Sequence, residues 1–170
     1  MAHKTDQDAQ TSSRDSALRS QIAARRWRTL KRAAHDVFGI DRLRPGQAEV
    51  LQALMDGADV LAIMPTGYGK SLCYQLPSLS FPGSTVIVSP LISLMKDQSD
   101  KLRAIGIATA QVNSALPVRR RVLNLGAIKE HKTNFIFTTP EQLDRQGFVK
   151  TLADNEITLF VIDEAHCISQ

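Results

Sequence analysis

Eight consecutive residues, Met64-Pro65-Thr66-Gly67-Tyr68-Gly69-Lys70-Ser71, bring two glycines, an amine and a hydroxyl into a spacing that suits the holding of a polyphosphate. Glycine lets the backbone curl until successive N–H groups point at one anion. A stretch that reads as a helix follows, and a helix N-terminus adds unpaired donors and the positive end of a dipole. In such a cradle Thr66, Gly67, Tyr68 and Gly69 wrap the phosphates. Lys70 reaches the β- and γ-phosphates of ATP, and the Ser71 hydroxyl ligates magnesium. Met64 stands where these loops usually begin with glycine, and Tyr68, between two glycines, must turn its ring away from the phosphates. Taken alone, the octet also fits a strand–turn–helix corner with a chance Gly-Lys-Ser.

A second group makes chemistry with the first. Leu159-Phe160-Val161-Ile162 reads as a buried strand, and Asp163-Glu164 stands at its carboxyl end, where parallel α/β sheets place their ligands. Asp163 is expected to hold the magnesium through water, and Glu164 to take the proton from an attacking water. By itself the acidic pair could be a helix N-cap with a surface acid. His166 suits either a packing role or a relay to neighbouring loops. Upstream of the phosphate loop, Gln47 carries an amide whose adjacent donor and acceptor match the N6/N7 edge of adenine. Without the loop it would read as a solvent-facing helix residue.

These groups need a scaffold, and the hydrophobic pattern supplies one. Strands are expected at 60–64, 85–89, 109–112, 135–138 and 159–162. Helices are expected at 70–79, shortened or kinked by Pro77, and at 91–105, 117–130 and 146–154. Short apolar runs alternating with helices imply a mostly parallel sheet covered on both faces. Ahead of it, residues 1–15 read as a disordered tail. Residues 16–57 read as a helical segment that ends a first helix at Gly39, opens a second at Pro45 and stops it at Gly57. Residues 58–170 form the remaining lobe.

Composition bounds the reading. A chain of 170 residues with 43% hydrophobic and 22% charged residues can bury a core of its own, and it has no apolar run of membrane-spanning length. Cys73 and Cys167 form no Cys-x-x-Cys pair, which argues against zinc and suits a reducing cytosol. Residues 1–45 carry ten Lys/Arg against five Asp/Glu, while residues 46–170 carry eleven against twelve. A nucleic acid gripped by the later part would therefore meet N–H groups, hydroxyls and a few local cations rather than a broad basic field. Arg25, Arg26, Arg28, Lys31 and Arg32 crowd the first helix. They read as a solvated face in preference to a DNA contact, and Trp27 reads as packing in preference to a stacking platform.

Asp163-Glu164-Ala165-His166 resembles the DEAH box of superfamily 2 helicases, and its continuation Cys167-Ile168-Ser169-Gln170 resembles the RecQ family in particular. So do Met64 through Pro77, Ser89-Pro90-Leu91-Ile92-Ser93-Leu94-Met95-Lys96-Asp97-Gln98, and Phe38-Gly39 through Arg44-Pro45-Gly46-Gln47. Thr138-Thr139-Pro140-Glu141-Gln142-Leu143 resembles the family's motif Ib, and Tyr68 stands where many members carry glycine. The likeness spans residues 35–170 or so. It implies a RecA-like P-loop lobe of an ATP-dependent, three-prime to five-prime DNA helicase of repair and recombination. By that likeness Arg44 and Gln47 contact adenine, and Ser89, Ser93, Lys96, Thr138 and Thr139 hold single-stranded or forked DNA. The implied setting is the cytoplasm, on the nucleoid in a bacterium, or the nucleus in a eukaryote. In the family an aromatic-rich loop and a second lobe, bearing the arginine that completes the site, follow the box. Residues 1–170 are accordingly expected to be one incomplete lobe, a fragment or a truncated product. The rival readings are a non-helicase P-loop ATPase, opposed by the motifs at 89–98 and 138–143, and a non-catalytic docking lobe, opposed by intact Lys70, Asp163 and Glu164.

Overall fold

A computed structural model describes the backbone of residues 3–166 and the side chains of residues 20–166, so Cys167-Ile168-Ser169-Gln170 lies outside the described residues. The chain divides into two compact units, Met1–Pro77 and Ser78–Gln170.

The first unit is helical. Helix α1 spans His3–Phe38, so residues 3–15 are helical where a disordered tail is expected. No glycine or proline stands ahead of Gly39 to stop it. Gly39, at φ 65°, ends it as expected: Gly39 N–H donates to His35 O and Ile40 N–H reaches back to Ala34 O at 2.9 Å. Helix α2 spans Gln47–Met55. Pro45 does not open it, because Gly46 takes a left-handed φ of 82° and the right-handed helix can begin only after it. Helix α3 spans Lys70–Ser78 and ends one residue after Pro77. Leu30 and Ala34 of α1, Leu51 of α2, and Leu72 and Leu76 of α3 form the unit's core, against which Trp27, Phe38 and Met55 pack. Trp27 is thus a packing residue, with Lys31 Nζ 5.7 Å from its ring.

Residues 60–64 correct a second expectation. They form no strand, and Leu61 and Ile63 are 81% and 89% exposed. Apolar alternation supplies strand propensity, but a strand exists only where a ladder partner satisfies its N–H and C=O groups.

The second unit is α/β. In chain order it contains β1 (Ser84–Val88), α4 (Ile92–Ala104), β2 (Thr109–Val112), α5 (Val118–Lys129), β3 (Phe135–Thr138), α6 (Pro140–Leu143), α7 (Gln146–Ala153) and β4 (Ile157–Ile162). The four strands are all parallel in the order β2-β3-β1-β4. Every residue of β1 and β3 is buried, so both faces of the sheet's centre are covered. Val86, Val88, Ala110, Val112, Ile128, Ile136, Phe148 and Leu152 fill one cluster. Phe135 and Phe137 stack at 6.5 Å between ring centroids, and both are fully buried. Edge strand β4 alternates instead, leaving Phe160 and Ile162 about half exposed. Gly83, at φ 72°, must be glycine: a Cβ there would run into the Glu156 carbonyl, which accepts the Ser84 N–H at 2.8 Å.

The register fixes what lies at the sheet's carboxyl edge. Val112 pairs with Thr138, Thr138 with Val88, and Val88 with Ile162. Asn113, Thr139, Ser89 and Asp163 are therefore the next residues out along one edge.

Candidate nucleotide and nucleic-acid site

The phosphate loop belongs to the first unit. Gly67 and Gly69 take φ values of 75° and 91°, the left-handed region that the curled backbone requires. Tyr68 N–H donates to Pro65 O, and Leu72 N–H donates to Gly69 O. Lys70, the first residue of α3, is half-buried and donates through Nζ to Met64 O at 3.3 Å, bridging the loop's own mouth. Next to it, Ser71 opens the helix beside the loop and is itself bonded.

Arg44 and Gln47 meet this loop directly. Arg44 Nη1 donates to Gly67 O at 2.7 Å, and its guanidinium lies 5.4 Å from the centroid of the Tyr68 ring. That contact gives Tyr68 a partner on the Arg44 side. Gln47 is 3% exposed and its amide is fully engaged: Oε1 accepts from Arg44 N–H at 2.7 Å, and Nε2 donates to Tyr68 O and Gly69 O at 3.2 Å. Here Gln47 braces the loop, and its amide must exchange these partners before it can read a base. A side chain at Gly69 would strike Gln47 Nε2, so glycine is required for this close approach as well. Cys73, one turn into α3, is buried in apolar surroundings that push its thiol up to about 11, which leaves it an inert packing residue.

The acidic pair belongs to the second unit. Asp163 follows β4 directly and extends its ladder, donating its N–H to Val88 O at 2.9 Å. Glu164 takes φ 54°, unusual for a residue with a Cβ, and its N–H donates to Asp163 Oδ1 at 3.0 Å. A left-handed acidic residue at a strand end is the kind of local strain that collects at functional positions. Glu164 Oε2 lies 3.3 Å from Nδ1 of the exposed His166. His166 therefore touches Glu164, a contact that spacing could not reveal.

The residues assigned to DNA divide by burial. Ser93 and Lys96 are exposed on α4, where Lys96 pairs with Asp100 at 3.2 Å. Ser89, Thr138 and Thr139 are buried. Ser89 Oγ accepts Leu91 N–H, and Thr138 Oγ1 donates to Val112 O at 2.9 Å, so both hydroxyls serve the strand ends. The Thr139 hydroxyl lies against Glu141 and holds that carboxyl below its ordinary value. Two buried amides at the same edge were missed by sequence reading: Asn113 Nδ2 and Gln142 Nε2 have no hydrogen-bond partner. Only burial distinguishes them from surface amides.

Residues 44–170 match the family described as DEAD/DEAH box helicase. The chain is 40% identical over 156 residues to the ATP-dependent DNA helicase RecQ of Haemophilus influenzae, covering 92% of this chain and 25% of that protein. It is 44% identical over 134 residues to the ATP-dependent DNA helicase RecQ of Bacillus subtilis, covering 78% of this chain and 23% of that one. The chain thus spans about a quarter of the length of these relatives. Among solved structures it resembles the DUF1998 helicase MrfA, crystallised with DNA and AMPPNP, at a TM-score of 0.67 and 25% identity over 81% of this chain and 21% of that one.

Proposed function

Because the chain belongs to the DEAD/DEAH box helicase family, we propose that it is the ATP-binding lobe of a RecQ-type DNA helicase. The whole protein would couple ATP hydrolysis to three-prime to five-prime unwinding in DNA repair and recombination. It would act in the cytoplasm or nucleus, and among the described residues no helix is long and apolar enough to cross a membrane. The carrying observation is that one chain holds a Gly-Tyr-Gly-Lys-Ser curl opening a helix and an Asp-Glu pair closing edge strand β4 of a parallel sheet.

In this reading Lys70 leaves Met64 O for the β- and γ-phosphates, and the loop N–H groups hold the remaining oxygens. Magnesium suits the oxygens that this chain offers. It takes one or two carboxylates together with phosphate oxygens and waters, and the Ser71 hydroxyl and the Asp163 carboxylate, anchored through Asp163 N–H to Val88, are donors of that kind. When bound, the ion would neutralise phosphate charge. Glu164 would accept the proton of the attacking water, with His166 orienting its carboxylate. Ser93 and Lys96 would contact the DNA backbone from α4, and Thr138 and Thr139 would shape the edge it crosses. A second RecA-like lobe would supply the arginine that completes the site.

Calorimetric titration of ATP into wild type and Lys70→Ala tests this assignment. Losing a bond to a charged group costs about 1.5–3 kcal/mol, so affinity should fall by at least about tenfold. Equal affinities would remove Lys70 from the site.

Gln47 makes a separable prediction. If its amide turns to adenine, ATP should bind better than GTP by about 1–3 kcal/mol, the value of one bidentate pair. Gln47→Ala should shrink that margin. Because Gln47 also braces Tyr68 and Gly69, the variant should weaken both nucleotides as well. A common loss with the margin intact would leave Gln47 as a loop brace alone.

A further inference from the structure

A phosphate cradle is built from backbone N–H groups, and a large ring inside it adds nothing to that task. Tyr68 nevertheless stands between Gly67 and Gly69. Its backbone is fixed from both sides: its N–H donates to Pro65 O, and its carbonyl accepts Gln47 Nε2. The ring is half-buried and lies outside the core built by α1, α2 and α3. Among the described residues its hydroxyl has no hydrogen-bond partner, and the polar group that the ring meets is the Arg44 guanidinium, 5.4 Å from its centroid.

Arg44 is the other half of the observation. An exposed arginine ordinarily samples many rotamers, and fixing it costs entropy. Arg44 is exposed, yet both its backbone and its side chain are held. Its N–H donates to Gln47 Oε1, its carbonyl accepts Gln47 N–H, Nη1 donates to Gly67 O at 2.7 Å, and the guanidinium lies over the Tyr68 ring. Among the described residues it forms no ion pair, and its remaining guanidinium donors are unused. A guanidinium has two faces, and a ring over one leaves the other for a second planar group. A held cation with free donors beside a phosphate cradle is preorganised for the planar part of a nucleotide, its base.

Resting on the nucleotide site proposed above, we infer that Tyr68 is a positioning residue that acts through Arg44: its ring backs the guanidinium, so that Arg44 meets the nucleotide base from the opposite side. The loop N–H groups and Lys70 serve the phosphates with or without the ring. Stacking does not distinguish one purine from another, so this contribution strengthens ATP and GTP alike, unlike an amide at Gln47 that reads a base edge.

Calorimetric titration of ATP, GTP and inorganic tripolyphosphate into residues 1–170 tests this, for wild type, Tyr68→Phe, Tyr68→Leu, Arg44→Ala and the Tyr68→Leu/Arg44→Ala pair. Tyr68→Leu should weaken ATP and GTP by about two- to fivefold, the worth of an exposed cation–π contact, and leave tripolyphosphate unchanged. Tyr68→Phe should bind as wild type does, because it keeps the ring and loses only the hydroxyl. In the Arg44→Ala background the leucine change should cost nothing further. An equal loss for tripolyphosphate would make Tyr68 a shaper of the phosphate loop alone and overturn the inference. Unchanged or tighter nucleotide binding by Tyr68→Leu would overturn it too, as would a full loss when Arg44 is already alanine. If wild type binds neither nucleotide nor tripolyphosphate, the nucleotide site itself falls, and this inference with it.

Discussion

A polypeptide of residues 1–170 alone is expected to bind magnesium–ATP weakly and to hydrolyse it far more slowly than about 1 s⁻¹, the low end of ordinary enzyme turnover. Phosphoryl transfer has little covalent chemistry for a protein to perform, so its rate depends on charge stabilisation around the transferring group. This chain offers Lys70, Ser71, Asp163 and Glu164. The mechanism proposed above places the completing arginine on a second lobe, and the loss of such an arginine costs about 10³–10⁵ in rate. In the proposed mechanism that charge would be left to water, because residues 1–170 alone would bring no second lobe to close over the nucleotide. A steady-state assay with and without single-stranded DNA decides the matter. DNA-stimulated turnover near 1 s⁻¹ would show that residues 1–170 need nothing more, and would refute the two-lobe mechanism.

The second large effect is structural. Phe137→Ala should cost about 3–5 kcal/mol, the usual range for deleting a fully buried phenyl ring. That is a large share of the total stability of an ordinary domain, about 5–15 kcal/mol. Phe137 is fully buried in β3, paired with Ile87 on one side and Gln111 on the other, and stacked with Phe135. Its removal empties the middle of the sheet one residue before Thr138. Urea unfolding of the two proteins measures the loss. A cost under about 1 kcal/mol would mean that the sheet's centre collapses into the space, and that Phe137 does not anchor it. A pronounced loss would also carry the carboxyl edge with it, because Thr138 Oγ1 holds Val112 O there.

Much of this protein is local, and local features are legible in a sequence. The strands at 109–112 and 135–138 are found where the apolar runs place them. Gly39 and Gly57 stop helices because only glycine takes their left-handed backbone without strain. The start of α3 at Lys70 follows from a glycine-rich curl, and the DEAH tetrad at the end of β4 follows from an apolar run that ends in acids.

What depends on distant partners was not legible. Residues 60–64 have the same apolar character as β1, yet β1 pairs with residues some fifty and seventy positions away and 60–64 pair with none. Gln47 looked like a free amide because its partners, Tyr68 and Gly69, are brought to it by packing. Thr138 and Ser89 looked like open hydroxyls because composition does not show that strand ends use them internally. The strand order β2-β3-β1-β4 and its register are what set Asn113 at the edge shared with Ser89, Thr139 and Asp163. Hydrophobic periodicity specifies which residues form a strand and which face they bury. It carries no information on which strand lies beside which, because that is settled by the closure of long loops and the joint packing of faces.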